Sequence, residues 1–103
     1  GIWLGVTFGS SPSAGNDLGI VFRASDVSNY WRAGMTGLYK VTGGASALVS
    51  NYSTPCAPGD RLVVQLSGSV ITVYRNGVQV VTTTDSYNST ATLHGIVEEA
   101  VGV

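Results

Sequence analysis

The stretch RASDVSNYWRAG, Arg23 to Gly34, gathers two arginines, an aspartate, an asparagine and two aromatic rings in a chain whose charged residues make up only 11%. These are the residue types that recognise sugars: rings pack against C–H surfaces, and Asp, Asn and Arg supply directional acceptors and donors around them. If Asn29 onward is extended, alternation places Tyr30 and Arg32 on one face and Trp31 and Ala33 on the other. Trp31 shares its side with Ala33 and Met35, so it reads as a packing anchor, and Tyr30 and Arg32 then point outward, the first to stack and the second to donate. Asp26, Ser28 and Asn29 read as the turn before them, with Asp26 accepting backbone N–H groups. Tyr30, Arg32, Asp26 and Asn29 are therefore the candidate carbohydrate-binding residues. Tyr52, Tyr74 and Tyr87 are further ring candidates, and Trp3 and Tyr74 fall on the less apolar side of their strands.

Catalytic chemistry finds little to work with. Glycoside hydrolysis needs two carboxylates facing each other across a bond, roughly 5–9 Å apart. The acids are Asp17, Asp26, Asp60, Asp85, Glu98 and Glu99. The four aspartates sit in turn-like sequence, and adjacent glutamates on a strand point to opposite faces. No Gly-x-Ser-x-Gly turn exposes a nucleophile, and GGASA lacks the lysine of a phosphate-binding loop. The chain reads as a non-enzyme. No cofactor is called for; Asn16, Asp17, Asp26, Asn29 and Asp60 are the oxygen ligands a Ca²⁺ ion would have to use, but no dense acidic loop brings them together.

The net charge of −1 gives no field to attract nucleic acid or an anionic membrane surface. Cys56 is the single cysteine, so no intrachain disulfide forms, and beside Pro55 it reads as a small buried filler. There is no apolar run of about 18 residues to cross a membrane as a helix.

The elements that must position these groups are strands. Ile2, Leu4, Val6 and Phe8 alternate with Trp3, Gly5 and Thr7; Leu18, Ile20 and Phe22 alternate with Gly19, Val21 and Arg23; Leu62, Val64 and Leu66 alternate with Arg61, Val63 and Gln65. Asn76-Gly77 supplies the two positive φ values of a type I′ turn. The register it predicts pairs Arg75 with Val78, Val73 with Val80 and Ile71 with Thr82 on one face, and Tyr74 with Gln79 and Thr72 with Val81 on the other. Clusters of Gly, Pro, Asn, Asp and Ser punctuate the rest into roughly nine short strands, and the one stretch suited to a helical turn lies near Asp85 to Ser89. The expectation is a single all-β domain over 1–103, an antiparallel jelly-roll sandwich of two sheets.

LGIVFRASDVSNYWRAG followed by GLYKV, then PGDRLVVQLSGSVITVYRNGVQVVTTTDS and ATLHGI, resembles the concanavalin A-like lectin/glucanase superfamily, in the laminin-G-like branch found in secreted bacterial proteins and bacteriophage tail or virion proteins. The resemblance covers about Leu18 to Ile96. It implies a two-sheet jelly roll, carbohydrate recognition, and hydrolysis only in branches that place acids at alternate positions of one concave strand; this chain has no such strand. The domain is shorter than the full pattern, and GIWLGVTF and GIVEEAVGV leave both ends apolar. The expectation is a piece of a longer polypeptide whose termini meet neighbouring domains or copies. The functional expectation is a lectin-like binding or adhesion module, extracellular or on a virion surface. Its rival is a structural or decoration domain of a phage tail or capsid with no ligand.

Overall fold

The computed structural model describes residues 2–7, 18–52, 56–57, 59–91 and 93–98. Nine strands run through them: β1 Ile2–Thr7, β2 Leu18–Asp26, β3 Asn29–Ala33, β4 Gly37–Thr42, β5 Ala45–Asn51, β6 Arg61–Ser67, β7 Val70–Arg75, β8 Val78–Thr84 and β9 Leu93–Glu98. They form two antiparallel sheets, one ordered β1-β6-β7-β8 and the other β5-β4-β3-β2-β9. The all-β sandwich read from the sequence is the fold. The stretch near Asp85 to Ser89 is turn and loop, without a helix. Phe8, Asn16, Asp17, Pro55, Glu99 and the chain ends lie outside the described residues.

Period-two alternation accounts for the core. Ile20, Phe22, Trp31, Ala33 and Leu38 project from the five-stranded sheet onto Leu62, Val64, Leu66, Ile71, Val73 and Val81 of the four-stranded one. Phe22 and Trp31 stack at 6.3 Å with 11° between their planes. Cys56 lies among them as a buried filler, its thiol pushed up to about 11 chiefly by burial.

One expectation fails at the β7–β8 hairpin. Asn76 and Gly77 do take positive φ, 52° and 83°, and Arg75 meets Val78 and Tyr74 meets Gln79 as expected. Beyond that point Val73 pairs with Val81, Thr72 with Thr82 and Ile71 with Thr83. Val80 is therefore the extra residue of a β-bulge. The shift turns Val81 inward beside Val73, where it is 5% exposed, and leaves Thr82 to meet Thr72 on the outer face, hydroxyls 3.3 Å apart. An unbroken ladder would have placed Val81 outward.

Candidate functional site

The structure divides the four predicted binding residues into two pairs. Asp26 and Asn29 close the β2–β3 turn: Asp26 accepts the Ser28 N–H at 2.8 Å and the Asn29 side-chain amide at 2.9 Å. Asn29 Oδ1 in turn accepts the Gly43 N–H at 2.9 Å, tying that turn to the β4–β5 turn. The Ser28 N–H, with the Asn29 amide, holds the Asp26 carboxyl below its ordinary pKa. Their polar groups face each other and the backbone. Tyr30 and Arg32 lie on the outer face of the five-stranded sheet, opposite in direction to Trp31 and Ala33. There Arg32 faces its cross-strand neighbour Tyr39, guanidinium 4.6 Å from the ring centroid, a cation–π contact within the fold itself.

Trp31 is the packing anchor expected. Its Nε1 donates to the Tyr87 carbonyl at 2.9 Å, and Lys40 Nζ lies 5.7 Å from its ring and 4.9 Å from that of Tyr87. Lys40 is held by Asp85 at 2.9 Å. Tyr52 is buried, its hydroxyl 3.3 Å from the Gly37 carbonyl. Neither Tyr52 nor Tyr87 is a free surface ring.

Three of the aspartates, Asp26, Asp60 and Asp85, are engaged locally. Asp60 accepts from the Ala57 N–H, the Asn76 amide and Arg75, which hold its carboxyl at about 2. Asp85 is held down first by Lys40, then by the Tyr87 N–H. Asp26, Asp60 and Asp85 each accept a backbone N–H within a different turn, the ordinary structural use of an aspartate. Among the described residues no three His, Cys, Asp or Glu cluster as metal ligands would.

A third aromatic site comes from strand pairing that the sequence leaves open. Because β1 pairs with β6 and β6 with β7, Trp3, Gln65 and Thr72 fall in one row and Gly5, Val63 and Tyr74 in the next, all on the outer face of the four-stranded sheet. Trp3 is 59% exposed, and its ring lies 5.9 Å from that of Tyr74, planes 27° apart. Together with Val63 and Gly77 they line a shallow cleft of about 300 Å³. Tyr74 donates to Gln65 Oε1 at 3.3 Å. The Arg61 guanidinium lies across Gly5, 2.6 Å from where a Cβ would stand. Two half-open rings thus sit between a guanidinium and an amide. The signal available in the sequence was the outward parity of Trp3 and Tyr74; what it lacked was the partner of β1.

His94, the chain's single histidine, accepts the Arg23 N–H at Nδ1, 3.0 Å. Burial and then the Arg23 charge hold its pKa below 6.5. The folded state therefore favours neutral imidazole, and the unfolded chain binds the proton first as pH falls from about 6.5. Stability contributed by His94 is present above that value and lost as pH drops through the lowered folded pKa. The thermal midpoint should fall from pH 7 to pH 5, with a shallower fall in His94→Gln, whose side-chain oxygen can still accept the Arg23 N–H; equal slopes would refute the assignment.

No protein-family profile matches this chain, and no curated protein sequence matches it. Among solved structures, the fold is similar to the carbohydrate binding module CBM66 from Bacillus subtilis, with a TM-score of 0.66 and 19% identity over 93% of this chain. The likeness spans 62% of that protein's length.

Proposed function

We propose that this chain is a non-catalytic carbohydrate-binding module, lectin-like and of the laminin-G-like branch, working in a secreted or virion-surface protein. The observation that carries the reading is the Trp3–Tyr74 platform: two stacked rings open to solvent on a sheet face, with Gln65 and Arg61 beside them. A pyranose offers C–H groups on its ring face and hydroxyls at its rim, which such a platform complements. The likeness in fold to a carbohydrate binding module supports it. Tyr30 and Arg32 offer a lesser second surface on the opposite sheet, with Arg32 already seated on Tyr39.

Calorimetric titration with a panel of soluble neutral polysaccharides tests the proposal. Trp3→Ala and Tyr74→Ala should each weaken binding about tenfold, which is about 1.4 kcal/mol, with little change in thermal midpoint because both rings are partly exposed. Tyr30→Ala, on the lesser surface, should change affinity by less than about twofold, which is about 0.4 kcal/mol. Loss of binding in Tyr30→Ala alone would move the site to the other sheet, and no binding across the panel would remove the proposal.

A second reading, assembly or decoration of a phage tail or capsid, draws on β5. This edge strand, ASALVSN, carries no charge or proline, and Leu48 and Val49 are 49% and 39% exposed. Bare edges of this kind pair with other chains. Light scattering should then show a concentration-dependent dimer that Leu48→Lys abolishes.

A further inference from the structure

The β2 strand hides an arginine where alternation would expose one. Arg23 lies in the register shifts that β2 makes with both β3 and β9, and its φ is +49°, a conformation that L residues other than Asn and Asp seldom adopt. The irregularity reverses the parity of the strand at this point, and the side chain turns inward, 4% exposed. Asn88, itself at φ +53°, fixes the kink by donating to the carbonyls of Arg23 and Asn29, both at 3.1 Å. Strain of this kind persists only where the surroundings enforce it, and it concentrates at sites of function.

Within this setting the guanidinium is incompletely paired. Nη2 donates to the Gly68 carbonyl, while Nη1, shielded from solvent, has no acceptor. The described ion pairs join Lys40 to Asp85 and Arg75 to Asp60, so no described carboxylate answers Arg23. A guanidinium does not shed its proton to escape this cost. Buried charge without a counterion is among the least favourable arrangements a fold can hold. Arg23 also forms part of the wall of a cleft of about 250 Å³, together with Ile2, Leu66, Ser89, Thr90 and His94. The His94 Nδ1 lone pair is taken by the Arg23 N–H, which leaves Nε2 as the protonated, donating nitrogen of the neutral ring.

We propose that this cleft is a site for a single carboxylate, the carboxylate of an acidic sugar residue, with Arg23 as its counterion. One cation and a neutral imidazole balance one negative charge; a phosphate dianion would remain under-neutralised. The hydroxyl-bearing Ser89 and Thr90 suit a polyhydroxylated ring, and Ile2 and Leu66 give it an apolar wall. The volume is below that of a drug-sized pocket, which fits one sugar unit. The site is separate from the aromatic platform: successive residues of β1, Ile2 and Trp3, line the two clefts.

The test is a titration of the whole chain with methyl glucuronoside and methyl glucoside, followed by ¹H–¹⁵N spectra that include arginine and histidine side-chain signals. The glucuronoside should shift the Arg23 and His94 signals saturably and the glucoside should not; raised salt should weaken the binding. Arg23→Met should lower affinity at least tenfold. Ile2→Glu, at a half-exposed rim position, should weaken it at least fivefold even if the Arg23 variant fails to fold. Trp3→Ala should leave it unchanged, so failure of the neutral-glycan reading and failure of this one are separable. Equal response to both glycosides, no response to either, loss of the response in Trp3→Ala, or preference for a free peptide C-terminus over the glucuronoside would each overturn the proposal.

Discussion

Trp31→Ala should destabilise the fold by about 3–5 kcal/mol, the range for removing a large buried aromatic side chain. Trp31 is fully buried and is the largest side chain in the core. Its neighbours include both sheet-borne Phe22 and loop-borne Tyr87. Rigid strands cannot collapse into the space it leaves, so the cavity cost adds to the lost transfer energy. Tyr87 would also lose the indole donor on its carbonyl and Lys40 one of its two rings. Since domains are stable by about 5–15 kcal/mol in all, the variant stands close to unfolding. Trp31→Phe separates the contributions: it keeps most of the apolar volume and removes the hydrogen bond, for an expected loss of about 1–3 kcal/mol. Urea denaturation of both variants checks the order, and equal losses would show that the indole N–H, not packing, dominates.

The partition at Tyr30, Trp31 and Arg32 shows what a sequence can carry by itself. Side-chain direction on a strand is a local property, so parity plus the neighbours Ala33 and Met35 was sufficient to send Trp31 inward and its flanking residues outward. The Asn76-Gly77 turn was legible for the same reason: its two φ values belong to two adjacent residues. Val80 was not. A bulge arises because the far side of a sheet needs Val81 inward, and that requirement comes from Val73 and the facing sheet. Arg23 illustrates the same limit more strongly. Alternation from Phe22 pointed it to the opposite face, and only pairing with both β3 and β9 imposes the kink that buries it. The candidate surfaces divide along this line. Tyr30 and Arg32 were visible as a local pattern, whereas the Trp3–Tyr74 platform exists because β6 lies between β1 and β7, a pairing between distant segments that neither segment encodes alone.

Two glycines allow close backbone approach within the five-stranded sheet. A Cβ on Gly19 would stand 2.4 Å from the Ala33 carbonyl oxygen and 3.0 Å from the Gly34 Cα; one on Gly37 would stand 2.4 Å from the Ser50 carbonyl oxygen and 3.1 Å from the Asn51 Cα. The intrusions are equal in size, and in both the obstacle is backbone, which no rotamer change can move. Their surroundings differ. Gly37 abuts β5, an edge strand that can swing outward at one end. Gly19 sits on β2, held between β3 and β9, and the backbone it meets belongs to β3, itself paired on its far side with β4. Overpacking ordinarily costs about 1–3 kcal/mol. Gly37→Ala should fall near about 1 kcal/mol, with faster amide exchange confined to Ser50 and Asn51, and Gly19→Ala should reach about 3 kcal/mol, with exchange accelerated across β2 and β3. Chemical denaturation and hydrogen exchange on the two variants measure both quantities. A Gly19 variant no less stable than the Gly37 variant would mean that the interior strands of the five-stranded sheet yield as readily as its edge.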